Sequence, residues 1–286
     1  MGFFLVFLGL LVGFLVLILF FYFKFNTFRK FPTVLLVSGA VKSGKSFVSV
    51  SIAKRLLRRQ RFKVFFINVI FYFPKLLLNK IFKKNYILWR KLPVLYSNIP
   101  LYKTKHYQLT TSILKREVTI IPKSVVFIDE CSFTADSMSY KDSILNDALL
   151  QFVKLFGHMS RGGYLILNTQ SLSDLHYAFK RSIGDFYYIY ARRKLPFLTY
   201  VKLKQIFSID GEKANSSVLE LNDYSMLILN KNYKAYDCYC YSCLTDLLPL
   251  SHSKSKYIKN RKLLKINKFV SFKKWKGVDN YEEEDI

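Results

Sequence analysis

Gly39-Ala40-Val41-Lys42-Ser43-Gly44-Lys45-Ser46 matches the phosphate-binding pattern G-x-x-x-x-G-K-[ST], and its flanks decide the fold. An apolar run, Val34-Leu35-Leu36-Val37, precedes it and predicts a strand. Phe47-Val48-Ser49-Val50-Ser51-Ile52-Ala53-Lys54-Arg55-Leu56-Leu57 follows and predicts the opening of a helix. The pattern needs that context, because backbone N–H groups at a helix N-terminus must curl around phosphate oxygens. Gly39 to Phe47 are therefore the expected phosphate contacts. Lys45 reaches the outer phosphates in this reading, and the Ser46 hydroxyl is a Mg²⁺ ligand.

A second run, Val125-Val126-Phe127-Ile128-Asp129-Glu130, predicts a strand buried on both faces that ends in two carboxylates. Charges at that end emerge where open α/β sheets bind ligands. Asp129 is expected in the Mg²⁺ shell and Glu130 as the general base for water. A third run, Tyr164 to Gln170, follows Arg161-Gly162-Gly163 and ends in Asn168, Thr169 and Gln170. Gln170 is a candidate for orienting water or sensing the γ-phosphate, and Arg161 for a finger supplied to a neighbouring subunit. Val94 to Pro100 predicts another strand. Ser143 to Phe156 carries apolar residues at Ile144, Leu145, Ala148, Leu149, Phe152, Val153 and Phe156, the spacing of an amphipathic helix. Strands alternating with helices indicate a mostly parallel α/β sheet.

Gly2 to Phe23 contains no charge, and 22 helical residues reach roughly 33 Å, enough for a bilayer core. No basic stretch precedes the run and no small-residue cleavage site follows it, so an uncleaved anchor is expected rather than a signal peptide. Lys24, Arg29 and Lys30 place the following chain in the cytoplasm. Val64 to Phe73 is a shorter apolar stretch among basic residues. Two readings stay open for it: an interfacial helix on anionic lipid, or a buried strand and connecting helix.

Lys and Arg number 45 against 19 acids, a formal charge of +26 that calls for an anionic partner, nucleic acid or membrane. Lys254 to Lys276 holds ten basic residues and no acid, interleaved with Tyr257, Phe269, Phe272 and Trp275. That mixture suits single-stranded nucleic acid, and equally lipid headgroups. Cys238, Cys240 and Cys243 offer three thiols with no adjacent His, which argues against zinc. Phe186–Ile189 and Leu198–Ile206 predict antiparallel strands. Three segments are expected: an anchor with its basic flank (1–30), a phosphate-loop domain (31–210), and a small β-rich, basic extension (211–286).

The order of these motifs, with Gly157-His158-Met159-Ser160-Arg161-Gly162-Gly163 leading to Thr169-Gln170 and then Leu172 through Tyr188, resembles the zonula occludens toxin-like family. That family includes the assembly ATPases of filamentous bacteriophages. The resemblance covers roughly residues 33 to 200, and in this chain the apolar helix comes before the shared region rather than after it. It implies a P-loop NTPase fold related to the HerA–FtsK DNA pumps, ATP and Mg²⁺ as cofactors, and a homo-oligomeric ring. It further implies an inner-membrane protein that powers assembly and extrusion of a virion, with single-stranded DNA and coat proteins as partners. Two alternatives are carried forward: a DNA translocase for packaging or conjugation, and a membrane scaffold that binds nucleotide without needing turnover.

Overall fold

In a computed structural model, the structure describes residues 2–28, 30–40, 42–82, 85–99, 101, 104–133, 144–172, 175–183, 185–208, 218–236, 240–241 and 250–251. The chain runs through α1 (Gly2–Phe25), β1 (Val34–Ser38), α2 (Lys45–Phe82), β2 (Leu95–Ser97), β3 (Tyr107–Gln108), α3 (Thr111–Leu114) and β4 (Val125–Ile128). Then follow α4 (Ile144–Ser160), β5 (Tyr164–Thr169), α5 (Tyr177–Ser182), β6 (Phe186–Lys194), β7 (Leu198–Ser208) and β8 (Val218–Leu229). β9 (Cys240–Tyr241) and β10 (Leu250–Ser251) form a separate antiparallel pair.

Eight strands form one sheet in the order β3-β2-β4-β5-β1-β6-β7-β8. The first six in that order are parallel, and β7 and β8 add to the edge as antiparallel strands. The period-2 geometry of strands sorts their apolar runs between two layers. Leu35, Val37, Val125, Phe127 and Ile166 pack with Val48, Ile52 and Leu56 of α2. Leu36, Val126, Ile128, Leu165 and Leu167 pack on the other face with Leu149, Phe152, Val153 and Phe156 of α4. Each such side chain, sealed from water, contributes about 1.5–3 kcal/mol relative to exposure. The continuous apolar runs therefore report burial on both faces, as expected of a parallel sheet.

Strand-to-strand order also places the loops. β5 lies between β1 and β4, so the chain after the phosphate loop must skip a position and return later to fill it. The turn before β5 is tight: Arg161 and Gly162 take φ of 46° and 92°, and a Cβ on Gly163 would collide with the Ser124 carbonyl oxygen.

The sheet does not stop at residue 210. β8 pairs along the whole of β7, and the 3₁₀ turn Asn230–Ala235 returns to α2, where Tyr233 stacks on Phe47 with ring centroids 3.8 Å apart. Asn232 Nδ2 donates to Ser51 Oγ at 3.0 Å. The part of the 211–286 extension from Val218 to Tyr236 thus packs as one body with the sheet. Cys238, Cys243 and the basic segment 254–276 lie outside the described residues.

α1 is a 24-residue helix whose described side chains are mostly exposed, Leu10 at 70% for example. Val64–Phe73 belongs to neither a strand nor a buried helix. It continues α2 through Pro74 to Phe82. By length and composition α2 is long and apolar enough to cross a membrane, and only 11% of its most apolar window is buried.

Buried His106 fastens the loop after β2. Its Nε2 accepts from the Leu101 N–H at 3.2 Å and its Nδ1 donates to the Thr104 carbonyl at 2.8 Å. Burial pushes its pKa down to about 4, with Lys54 adding to the depression and the Thr104 bond opposing it. The unfolded chain protonates this ring near pH 6.5, whereas the folded chain resists until about pH 4. Stability is therefore full above pH 6.5 and falls on acidification through that window, by on the order of 3 kcal/mol. Denaturant titrations from pH 8 to pH 4 should show that slope, and His106→Gln should flatten it.

Candidate functional site

β1, β4 and β5 all end at one edge, and three polar side chains meet there. Ser46, the second residue of α2, donates to the Asp129 carboxylate at 3.0 and 3.1 Å. Asn168, at the end of β5, donates through Nδ2 to Asp129 Oδ1 at 2.7 Å. Ser49, one turn along α2, in turn donates to Asn168 Oδ1. From beyond β2, Asn98 clamps the Asp129 backbone in both directions, accepting from its N–H at 2.8 Å and donating to its carbonyl at 2.9 Å. Ser46 and Asp129, 83 positions apart in the sequence, are thus in direct contact.

Asp129 keeps part of its surface toward solvent, yet protein atoms surround its carboxylate. Burial raises its pKa, and the Asn168 and Ser46 hydrogen bonds and the Lys45 charge pull it back. Lys45 is itself lowered by burial, with Glu130 and Asp129 opposing. Its ammonium donates to the Gly39 and Ala40 carbonyls at 3.0 and 3.3 Å, which closes the loop on itself. Lys42 and Gly44 adopt φ of 65° and 93°, and the helix begins at once, with Val48 N–H bonded to Gly44 O at 2.9 Å. Ser43 Oγ is buried with no hydrogen-bond partner among the described residues, a polar group inside the cradle awaiting an acceptor or donor. Val41 lies outside the described residues.

Glu130 follows directly at φ 50°, a left-handed conformation that costs a non-glycine residue of order 1–3 kcal/mol. That backbone turns its side chain away from the β4 line toward Gln170, whose Nε2 donates to Glu130 Oε1 at 3.3 Å. Gln170 is exposed at the rim. Phe47 points the other way, fully buried under Tyr233, so it supports the loop from below rather than lining it. Arg161 sits at the opposite end of β5, separated from Lys45 by the length of the strand. Within one chain it does not join the site.

Sequence reading missed two groups. One is the amide pair Asn98 and Asn168, which look like ordinary strand-end residues until their bonds to Asp129 are seen. The other is Arg192. β6 pairs with β1 only over Phe186–Tyr188, then runs on past the end of β1. An irregularity between Ile189 and Ala191 bends it there. The overhang crosses the loop: a Cβ on Gly39 would sit 3.3 Å from the Ile189 carbonyl oxygen. One on Gly44 would sit 2.7 Å from Arg192 Nη1. The guanidinium thus lies close against the loop backbone at Gly44.

A hydroxyl and a carboxylate 3.0 Å apart form a hard-oxygen pair suited to Mg²⁺, which takes few protein ligands and keeps its waters. No cluster of three or more His, Cys, Asp or Glu occurs among the described residues. The donor set fits a nucleotide-associated magnesium ion.

The raised Asp129 pKa has a consequence for stability. A carboxyl with a folded pKa above its unfolded value favours folding only while protonated, so stability is lost as pH rises through that interval. Asp129→Asn keeps the acceptor for Ser46 and Asn168 without the charge. At pH 8, free of ligand, its Tm should equal or exceed the parent's, by roughly 2–4 °C for each kcal/mol recovered. Mg²⁺ with nucleotide should no longer raise it. A lower Tm in the ligand-free variant would contradict this assignment.

No family model matches the sequence, and no curated protein matches it either. Similar solved structures include the N-terminal domain of zonular occludens toxin from Neisseria meningitidis, at 16% identity and a TM-score of 0.38, over 73% of this chain and 100% of that one. They also include the genome packaging NTPase B204 from Sulfolobus turreted icosahedral virus 2 in complex with sulfate, at 15% identity and a TM-score of 0.34, over 58% of this chain and 77% of that one.

Proposed function

We propose that the chain is an ATP hydrolase held at the cytoplasmic membrane by α1, its phosphate-loop domain in the cytoplasm, where it powers assembly and extrusion of a virion. The observation that carries the hydrolase reading is the contact of Ser46 with Asp129, joined at the same edge by Lys45. In this reading the loop amides from Gly39 to Phe47 receive the phosphates, and Lys45 turns from the Gly39 and Ala40 carbonyls toward the outer ones. Ser46 and Asp129 would hold Mg²⁺, which supplies positive charge to the phosphate oxygens.

Glu130 takes the proton of the attacking water, its carboxylate held beside Gln170 at the same edge. Gln170, bonded to Glu130, couples the state of that carboxylate to β5 and the segment beyond it. Arg192 reaches the loop from its own chain and places a permanent cation beside the phosphates, where charge grows during transfer. Arg161, at the far end of β5, is left for a neighbouring subunit in a ring. Single-stranded DNA or a coat–DNA complex is the proposed cargo, supported by the +26 charge and the basic, aromatic segment 254–276.

Lys45→Ala should abolish hydrolysis by purified protein, and Glu130→Gln should keep nucleotide binding while losing turnover. Wild-type turnover in Lys45→Ala would remove the phosphate-loop assignment. Arg192→Ala should lower kcat by about 10²-fold or more with Tm unchanged, given what such cations contribute to phosphoryl transfer. Single-stranded DNA should stimulate turnover, and deletion of 254–276 should remove the stimulation. Stimulation by coat protein but by no nucleic acid would instead mark a protein cargo.

A further inference from the structure

The outer half of α2 has its polarity inside out. Phe66, Ile70, Phe73, Leu77 and Ile81 recur at steps of four, three, four and four, which lines them up on one helical face. All five are exposed, Phe73 at 74%. Asn68, Lys75 and Asn79 recur at steps of seven and four on the opposite face, and that face is the covered one. It is covered by the returning segment 85–92, and the polar side chains bind that segment's backbone.

The pairing is thorough. Asn68 donates to the Arg90 carbonyl and accepts from its N–H, both at 3.0 Å. Asn79 does the same for Tyr86, at 3.0 and 2.8 Å. Lys75 Nζ donates to the Ile87 carbonyl at 3.1 Å. Trp89 packs edge-on against Phe65 and Tyr72. A protein in water does the reverse, turning apolar stripes inward and leaving irregular backbone to the solvent. Internally satisfied irregular backbone under an apolar exterior is what a lipid environment demands.

Charge identifies the lipid. Between Arg58 and Leu92 there are ten Lys or Arg residues and no Asp or Glu. Arg58, Arg59 and Lys63 are exposed at one end of the apolar stretch, and Lys80 at the other. From Val64 to Phe82 the helix spans about 28 Å. Laid flat, it keeps both basic ends at headgroup level while the apolar face sinks below them, at a depth of roughly 5–10 Å. A second copy of the chain would bring equal positive charge against this surface, whereas anionic headgroups neutralise it.

We infer that α2 beyond Val64, with 85–92 fastened to it, is a monotopic device that lies in the interface of an anionic membrane. It is a second membrane contact besides α1, and it does not depend on whether the chain hydrolyses ATP. The test uses the full chain in vesicles, with Trp89→Phe and Trp275→Phe removing native tryptophan and Phe73→Trp reporting from the exposed face. In phosphatidylglycerol vesicles, bromines on the upper acyl carbons should cause loss of emission from position 73, with weaker loss from bromines near the chain ends. Aqueous iodide should have little effect, and phosphatidylcholine vesicles should give weaker quenching by the brominated chains. Adding Ile70→Asp, at a site already exposed, should restore the emission while α1 still anchors the protein. Quenching by iodide but not by brominated lipid would overturn the inference. So would shielding from both, which marks a protein contact, or stronger quenching by the deep bromines, which marks a span.

Discussion

A carboxylate partly sealed at the end of a buried strand is the constraint on which the rest of this structure turns. Burial opposes the charge on Asp129, and neutral donors from two other segments offset that cost, Ser46 from α2 and Asn168 from β5. Those bonds register three elements against one another at the edge where their parallel strands finish. The same bonds demand the strand order: β5 must lie between β1 and β4 for Asn168 to reach Asp129 while Ser49 reaches Asn168. Packing fixes the two layers to within a strand pair, but the polar contacts set where each loop emerges.

Much of this was legible in the residues. β1, β4 and β5 are uninterrupted apolar runs because both faces are covered, and each ends within a residue or two of where its polar side chains begin. Lys45 and Ser46 follow from a short pattern with a physical reason for every fixed position, and Asp129 from an apolar run that ends in carboxylates. What the sequence hid shares one cause, which is departure from periodic burial. β6 continues to Lys194 through Ala191, Arg192 and Arg193, all exposed, paired to β7 but past the end of β1. No apolar alternation marks such an overhang, so Arg192 beside Gly44 could not be anticipated. β8 belongs to the same sheet because it pairs β7 along its length, with one register shift at Gln205/Ile206, a long-range fact that composition does not encode.

The stretch from Val64 to Phe73 keeps two readings open in the sequence for a different reason. A short apolar run surrounded by lysine and arginine has no preferred face when solvent is assumed to be water. Once the polar residues are seen to point at residues 86–90, the ambiguity resolves: the helix is amphipathic, but its polar face is the interior one. α2 thus joins two environments along one axis. Its first turn closes a polar cradle, its middle packs on the sheet through Ile52 and Leu56, and its far end leaves the protein core altogether.

The central question for this protein is whether a metal–triphosphate complex occupies the edge between Ser46 and Asp129. The most direct measurement is anomalous diffraction from crystals grown with Mn²⁺ and a non-hydrolysable ATP analogue. The predicted result is a manganese peak within coordination distance of Ser46 Oγ, with Asp129 bound to it directly or through one water and Lys45 on the outer phosphates. A peak at any other edge of the sheet, with Ser46 and Asp129 still hydrogen-bonded to each other in the nucleotide complex, would contradict it.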